Sequence, residues 1–303
     1  MTADDTAVHG SAAAGLIRVA AAYVVALIVA AIWLIWGPTT SALWLDTLIA
    51  DVLATLVVFA FSRRFRNSSF YDAYWSVIPP LMLIYWWWQG DFGIGDVRCW
   101  LVAVVVGVWA IRLTWNWAST FPGLHHEDWR YGMIRSDAGR WEWPADLFAI
   151  HLIPTLQVFL AMLPVYVTVT RPADGPIWLA AVAFVVGVGA IGLETVADAQ
   201  LREFSRTRRP GEAMDRGLWA WSRHPNYFGE WMFWVALALF GIATSPGDAW
   251  WLVAGAIVML AMFEGASIPM MERRSLARRP EYQRVIDRIP RFLPRPPRIG
   301  AHD

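Results

Sequence analysis

Eight long apolar runs constrain the fold of this chain more than any other feature. A helix needs about 20 residues to cross roughly 30 Å of hydrocarbon, and most of these runs have that length. In lipid, backbone N–H and C=O groups must be bonded within their own segment, so each run is predicted to be an α-helix. The runs lie near residues 14–36, 41–62, 71–89, 97–119, 145–170, 177–201, 226–244 and 248–271.

The third run is the weakest of the eight. Pro79 and Pro80 interrupt it, and its apolar part is short. Proline removes a helix hydrogen bond and kinks the helix, so this run is expected either to cross kinked or to re-enter the membrane. We therefore predict an all-α, polytopic transmembrane helix bundle of about eight spans, or seven if this run does not cross.

Composition agrees with a membrane protein. The chain is 57% hydrophobic and only 17% charged, whereas soluble domains are roughly 45–50% apolar and about 25% charged. Its 21 tryptophans are typical of rings that lie at the headgroup level. The single cysteine, Cys99, excludes an intramolecular disulfide, a Cys-rich zinc site and an iron–sulfur cluster.

All 25 basic residues are arginine, and their distribution predicts the orientation. With a cytoplasmic N-terminus, 21 of the 25 fall in the connections after spans two, four and six and in the C-terminal tail. The positive-inside rule therefore predicts that both termini are cytoplasmic. We expect an integral protein of the bacterial inner (plasma) membrane.

The chain is predicted to have three parts. Residues 1–13 form a polar tail, 14–271 the transmembrane domain, and 272–303 a basic, proline-rich cytoplasmic segment. The first apolar run lacks a small-residue cleavage site and is interpreted as a retained anchor. Without an internal repeat, an inverted-repeat transporter gets no support. Membrane lipids are expected partners, nucleic acid is not, and the oligomeric state stays open.

Ionisable side chains inside spans are costly to bury and are therefore functional candidates. Arg112 lies near the end of the fourth run, and Glu194, Asp198 and Arg202 share one face of the sixth at a spacing of four. The alternative is that Arg112 or Arg202 pairs with these carboxylates structurally. The adjacent His125 and His126 lack a metal-ligand spacing, so no metal site is predicted.

A second polar cluster begins at the seventh span. Arg223 and the N–H groups of a helix that starts at Pro225 form a natural anion site. Asn226 and Glu230 lie one turn apart on the same face. This pattern predicts an anionic ligand at the helix start. Beyond the last span a basic, aromatic segment includes Glu272, Arg273 and Tyr282, for which membrane-surface charge is the alternative.

The segment Ser222-Arg223-His224-Pro225-Asn226-Tyr227-Phe228-Gly229-Glu230 resembles an uncharacterised bacterial membrane family related to the C-terminal domain of steroid 5-alpha-reductase. The wider group includes sterol C14-reductases and isoprenylcysteine carboxyl methyltransferases. The motifs Tyr71-Asp72-x-x-Trp75, Arg112-Leu113-Thr114 and Glu127-Asp128-Trp129-Arg130-Tyr131 are also similar to that family, so the resemblance covers roughly residues 70–297.

The resemblance implies an NADPH site at the cytoplasmic end of spans six and seven. Asn226 and Glu230 match residues that line the NADPH pocket of the steroid reductases, and Asp198 with the basic turn at 208–211 matches an earlier acid and an Arg-x-Pro-Gly turn. The cofactor-binding candidates are Arg112, Asp198, Arg202, Arg208, Arg209, Arg223, His224, Asn226, Tyr227, Glu272, Arg273 and Tyr282.

The steroid-carbonyl site of those reductases is not carried over. Where they have a Gln-Glu pair before a proline this chain has Val77-Ile78, and Trp109 replaces a tyrosine three residues before Arg112. The catalytic candidates are instead Asp72, Tyr74, Tyr131 and Glu230.

Three functions fit the sequence. The first is an NADPH-dependent oxidoreductase that reduces a C=C bond in a lipid or steroid-like substrate. The second is an S-adenosylmethionine-dependent methyltransferase of a membrane lipid or isoprenoid. The Arg-His-Pro-Asn-Tyr motif fits this function. Those methyltransferases usually have paired glutamates after the last span, whereas Glu272 stands alone, and this favours the reductase. The third is a non-catalytic lipid-binding protein.

Overall fold

The structure, a computed structural model, describes residues 11–90, 96–209 and 211–296. Over these ranges the regular structure is entirely helical, without a β-strand. Most of the predicted polar tail, Pro210 of the basic turn and residues 297–303 of the C-terminal segment lie outside the described residues.

The chain divides after Thr170 into two compact units. Among the described residues, seven helices are long and apolar enough to cross a membrane, which confirms the predicted helical membrane fold. The first unit contains α1 (Ala12–Trp36), α2 (Leu43–Phe65), α3 (Tyr74–Gln89), α4 (Val97–Thr120) and α5 (Trp129–Thr170). The second contains α6 (Ile177–Thr207), α7 (Pro225–Thr244), α8 (Pro246–Arg278) and α9 (Tyr282–Arg288).

The weak third run forms one continuous helix, α3, through both prolines. Its 16 residues extend about 24 Å at about 1.5 Å per residue, less than a full span. The connections before α3 and after α4 are hydrogen-bonded, because the Ser68 N–H donates to Glu127 Oε1 at 2.6 Å and Asn67 Nδ2 to the Leu124 carbonyl at 2.7 Å. Both connections therefore lie at one end of the first unit, and α3 and α4 form an antiparallel pair.

The same contacts gather arginines at that end of the unit. Arg63 at the end of α2 pairs with Asp146 and Glu142 of α5, and Arg135 of α5 pairs with Glu127. The arginines that follow predicted spans two and four thus lie at one end of the first unit, as the predicted topology requires. The side of the membrane that this end faces stays a prediction.

Helix α5 begins earlier than the predicted 145–170. It starts at Trp129, where the Asp128 side chain caps it by accepting from the Arg130 N–H at 2.8 Å. Its first part is polar, and hydropathy does not detect a polar helix. The helix then widens into a π-helical turn over 146–152. Residues five apart share a face in such a turn, so Asp146 and His151 are both buried.

In the second unit α6 and α7 pack side by side. Gly229 permits this contact, because a Cβ there would lie 3.0 Å from the Ala190 carbonyl oxygen. At one end of the pair, Arg171 bonds Asp248 at 2.8 Å. At the other end, where the candidate site is found, lie residues 208–209 and 211–224 of the connection, the start of α7 and the end of α8. Helices α6 and α8 extend beyond the predicted ends at 201 and 271.

Candidate functional site

Arg223, which precedes α7, contacts the end of α8. Its Nε donates to Glu272 Oε1 at 2.6 Å, and His224 Nε2 lies 3.2 Å from the same oxygen. The Nη1 of Arg223 donates to the carbonyls of Ile286 and Ile289 at 2.9 and 2.7 Å. The structure therefore joins three predicted site residues into a buried cluster. The anion that Arg223 meets here is the Glu272 carboxylate, and its binding of a cofactor anion stays a prediction.

The chain after α9 holds this cluster in place. It runs beside the segment that precedes α7, since the Arg223 N–H donates to the Pro290 carbonyl at 2.9 Å and the Arg295 N–H to the Trp221 carbonyl at 2.9 Å. Ser222 Oγ donates to the Phe292 carbonyl at 2.8 Å. These main-chain bonds fix the backbone from which Arg223 and its neighbour project.

The first turn of α7 connects the cluster to α6. Asn226 Nδ2 donates to Asp198 Oδ1 at 3.3 Å, so two more predicted residues meet. One turn later, Glu230 Oε1 accepts from Trp234 Nε1 at 2.9 Å and is buried. The Tyr227 ring lies on the α8 side of the helix, 4.8 Å from the ring of Phe263 between centroids.

The other predicted residues lie in different surroundings. Tyr282 packs in the small core of α9, where burial and the Glu272 carboxylate raise the pKa of its phenol to about 12. Arg202 and Arg273 are exposed on α6 and α8. Arg112 is partly buried on α4 of the first unit.

Four arginines surround one pocket of the second unit. The pocket has a volume of about 380 Å³ and combines the predicted pair Arg208 and Arg209 with a second pair, Arg278 and Arg279. Gly211, with a φ of +84°, lies in the turn that follows the first pair. Its lining residues are Arg208, Arg209, Gly211, Glu212, Arg278 and Arg279.

The second arginine pair was missed by the sequence analysis, although a signal for it exists. The sequence Arg-Arg-Pro occurs at residues 208–210 and again at residues 278–280. The structure brings the arginines of both copies together, and Arg279 Nη1 donates to the Glu212 carbonyl at 3.3 Å. A second pocket of about 470 Å³ also has Gly211 and Glu212 in its wall, and it adds the acidic Asp215 and Glu281 and three residues of α9, Arg284, Val285 and Arg288.

The first unit holds the other catalytic candidates. The Tyr131 hydroxyl donates to Asp72 Oδ1, so these two predicted residues meet. Tyr74 instead donates to Asp51 Oδ1 at 2.8 Å. Asp51 was not predicted, yet it lies in an apolar helix with threonines four residues before and after it, a spacing that marks a polar face.

A buried ionic cluster at the arginine-rich end of this unit was also missed. Asp146 accepts from Arg63 Nη1 at 2.8 Å and from Ser68 Oγ at 2.8 Å. His151 Nε2 lies 3.0 Å from Ser62 Oγ. Buried charges in proteins are normally paired, and here the pairing fixes the π-helical turn of α5 against α2.

Comparison with known proteins identifies the family. The model of the DUF1295 family, described as a protein of unknown function, matches residues 58–289. The chain belongs to the DUF1295 family. An uncharacterised protein of the fission yeast Schizosaccharomyces pombe is 25% identical over 286 residues, which cover 86% of this chain and 80% of the yeast protein. No solved structure matches the chain. The part of the chain that matches the DUF1295 family includes Arg223, Glu272 and both Arg-Arg-Pro segments.

Proposed function

We propose that this DUF1295 protein is a membrane-embedded, NADPH-dependent reductase of a C=C bond in a lipid substrate. The observation that carries the proposal is the pocket lined by Arg208, Arg209, Arg278 and Arg279. Guanidinium groups form short, bidentate, charge-assisted bonds to phosphate oxygens. NADPH carries a pyrophosphate and a separate ribose phosphate, so four guanidinium groups around one pocket fit its charge.

The dimensions of the site also suit a dinucleotide. The pockets of about 380 and about 470 Å³ share Gly211 and Glu212, and each lies in the range of roughly 300–1,000 Å³ that is usual for small-molecule sites. Arg208 and Arg209 are exposed, so a soluble cofactor can reach them. The positive-inside rule predicts that the arginine-rich connections face the cytoplasm, where NADPH is available.

In this reaction, different residues of the chain would bind the cofactor and donate the proton. NADPH, when bound, supplies a hydride to one carbon of the C=C bond. The arginine pocket binds and orients the phosphates. Glu230, a buried carboxyl group of the same unit as the arginine pocket, is the candidate for giving the other carbon a proton.

Methyl transfer from S-adenosylmethionine is the second candidate function. It is favoured by the cluster of Arg223, His224 and Glu272, which joins the Arg-His-Pro-Asn-Tyr segment to a glutamate after the last span. A non-catalytic lipid-binding protein is the third candidate.

Ligand-induced stabilisation of the detergent-purified protein separates these functions. A ligand that binds the folded state stabilises it by RT ln(1 + [L]/Kd). We expect a rise in unfolding temperature with NADPH and NADP. A rise only with S-adenosylmethionine and S-adenosylhomocysteine would replace the reductase by a methyltransferase, and no rise with any of the four would favour the non-catalytic function.

A further inference from the structure

Asp51 is a carboxyl group buried inside a membrane-spanning helix. It lies in the third turn of α2, with 7% of its surface exposed. The Tyr74 hydroxyl donates to its Oδ1 at 2.8 Å and lies 3.2 Å from its backbone oxygen. A carboxyl group in hydrocarbon is costly to bury and usually has a function.

A series of buried hydroxyl groups leads away from this carboxyl group. The next hydroxyl beside Tyr74 is that of Thr55, which is positioned to donate to the Tyr74 oxygen. Thr55 Oγ1 lies 2.9 Å from Thr155 Oγ1, which lies 2.8 Å from the Tyr71 hydroxyl. These four residues, which we call the hydroxyl chain, are each at most 3% exposed and come from α2, α3, α5 and the turn before α3.

The carboxylate sets the direction of the hydroxyl chain. Each hydroxyl has one hydrogen to donate and lone pairs to accept, whereas an ionised carboxylate only accepts. Because Tyr74 donates to Asp51, its oxygen is open to a hydrogen from Thr55. Thr55 in turn accepts from Thr155, which accepts from Tyr71. Every hydroxyl hydrogen then points toward Asp51. This is the arrangement in which a proton can pass along the series.

We propose that Asp51 is a proton-binding site within the membrane and that the hydroxyl chain carries the proton to and from it. A proton that arrives at the Tyr71 oxygen displaces the hydrogen of Tyr71 onto the next oxygen, and each hydroxyl passes its own hydrogen onward. The last transfer forms an O–H bond on Asp51. Release reverses these transfers, so protons balance and no redox partner is needed. The inference does not depend on the proposed reductase activity.

The Tyr71 end of the chain lies toward the ionic cluster at the end of the unit. The ring of His151 packs edge-on against that of Tyr71, with centroids 5.1 Å apart. Beyond it, Asp146 and Arg63 lead to Glu142, whose side chain is 43% exposed. Titratable groups therefore lie between the Tyr71 end of the hydroxyl chain and water.

The groups that face Asp51 are mostly phenols. Tyr71 and Tyr74 lie close enough to Asp51 to interact with its charge. Tyr23 of α1 packs edge-on against Tyr74, with ring centroids 5.8 Å apart. The Arg63 guanidinium lies twelve residues, or about 18 Å, farther along α2 and is held by two carboxylates. Protonation therefore neutralises the Asp51 carboxylate at a place where burial disfavours the charged form.

Infrared difference spectroscopy of the full-length protein in lipid nanodiscs tests the proposal. Lowering the pH should produce a carboxylic-acid C=O band that shifts in D₂O and is absent in Asp51→Asn. In Thr55→Val and Thr155→Val the hydrogen–deuterium exchange of this band should slow by about tenfold or more, a barrier increase of about 1.4 kcal/mol. Thr155→Ser, which restores the hydroxyl, should exchange at the wild-type rate.

Thr47→Val is the matched control. Thr47 is buried one turn before Asp51 on the same face of α2, but it bonds Trp86 Nε1 at 2.9 Å and is not part of the hydroxyl chain. Absence of any band that responds to Asp51→Asn would overturn the proposal, as would equal slowing in Thr47→Val. If Asp51→Asn does not fold, Asp51→Glu provides the assignment, because the carboxyl group is kept while its band changes frequency.

Discussion

Replacing Arg208 and Arg209 together by alanine should weaken the binding of NADPH about a hundredfold. Both side chains are exposed and line the arginine pocket. A hydrogen bond to a charged group contributes roughly 1.5–3 kcal/mol, and the lower end applies to solvent-exposed groups. Each arginine is therefore expected to contribute about 1.4 kcal/mol, or one factor of ten in Kd.

The loss has a definite size in a thermal unfolding assay. At an NADPH concentration of about 100 times the wild-type Kd, the ligand stabilises the folded protein by about 2.7 kcal/mol. In the double variant the same concentration only equals the new Kd, so the stabilisation falls to about 0.4 kcal/mol. The NADPH-induced shift should therefore shrink to about one sixth, while any effect of S-adenosylmethionine, which lacks phosphate, should be unchanged.

Arg206→Ala is the control for this experiment. Arg206 is exposed on the last turn of α6, beside the arginine pocket but outside its wall. It should retain the wild-type NADPH shift. An undiminished shift in the double variant would refute the phosphate site, and an equal reduction for NADPH and S-adenosylmethionine would show that the substitutions act on the fold.

Three further predictions concern the packing of the second unit, and each is measured as unfolding in detergent. Gly229→Ala should lower the unfolding free energy by about 1–3 kcal/mol, because the added Cβ would press against α6. Gly192→Ala is the control and should not destabilise the protein, because its Cβ would meet nothing within 4 Å. Equal effects of the two substitutions would contradict the close contact at Gly229. Glu272→Gln should lower the unfolding free energy by about 3 kcal/mol or more, because it removes the carboxylate charge that pairs with the buried Arg223 guanidinium. Glu264→Gln, at a partly exposed ion pair, should lower it by less than about 1 kcal/mol. Since the pKa of Tyr282 is raised from 10.0 to about 12, its folded state keeps a proton that the unfolded chain loses as the pH rises from about 10 to about 12. The contribution of Tyr282 to stability should therefore fall by about 2–3 kcal/mol over this range, and the loss of stability should be smaller by this amount in Tyr282→Phe.

The sequence predicts the membrane fold well because hydropathy is a property of local segments. Each apolar run corresponds to a helix, and even the weak third run is helical. The polar start of α5 escaped prediction because a helix held by caps and ion pairs carries no apolar signal. The π-helical turn at 146–152 depends on tertiary contacts of Asp146 and His151, which no local pattern encodes.

The candidate site was predicted in part for a similar reason. The segment around Arg223 was found because its polar residues are contiguous, and Glu272 because it follows the last span. Arg278 and Arg279 were missed because only folding places them beside the first arginine pair. Asp51 was missed because a single carboxylate hardly changes the hydropathy of a 23-residue helix.

Helix α3 has a consequence for the lipids around the protein. Its length of about 24 Å is roughly 6 Å less than the thickness of average hydrocarbon. Its outward stripe, Leu81, Ile84 and Trp88, is correspondingly short. Such hydrophobic mismatch is relieved when the adjacent bilayer thins, at a cost of fractions of a kcal/mol per Å. Lipids with short acyl chains should therefore collect beside α3, and membrane thickness should affect the stability of the first unit more than that of the second.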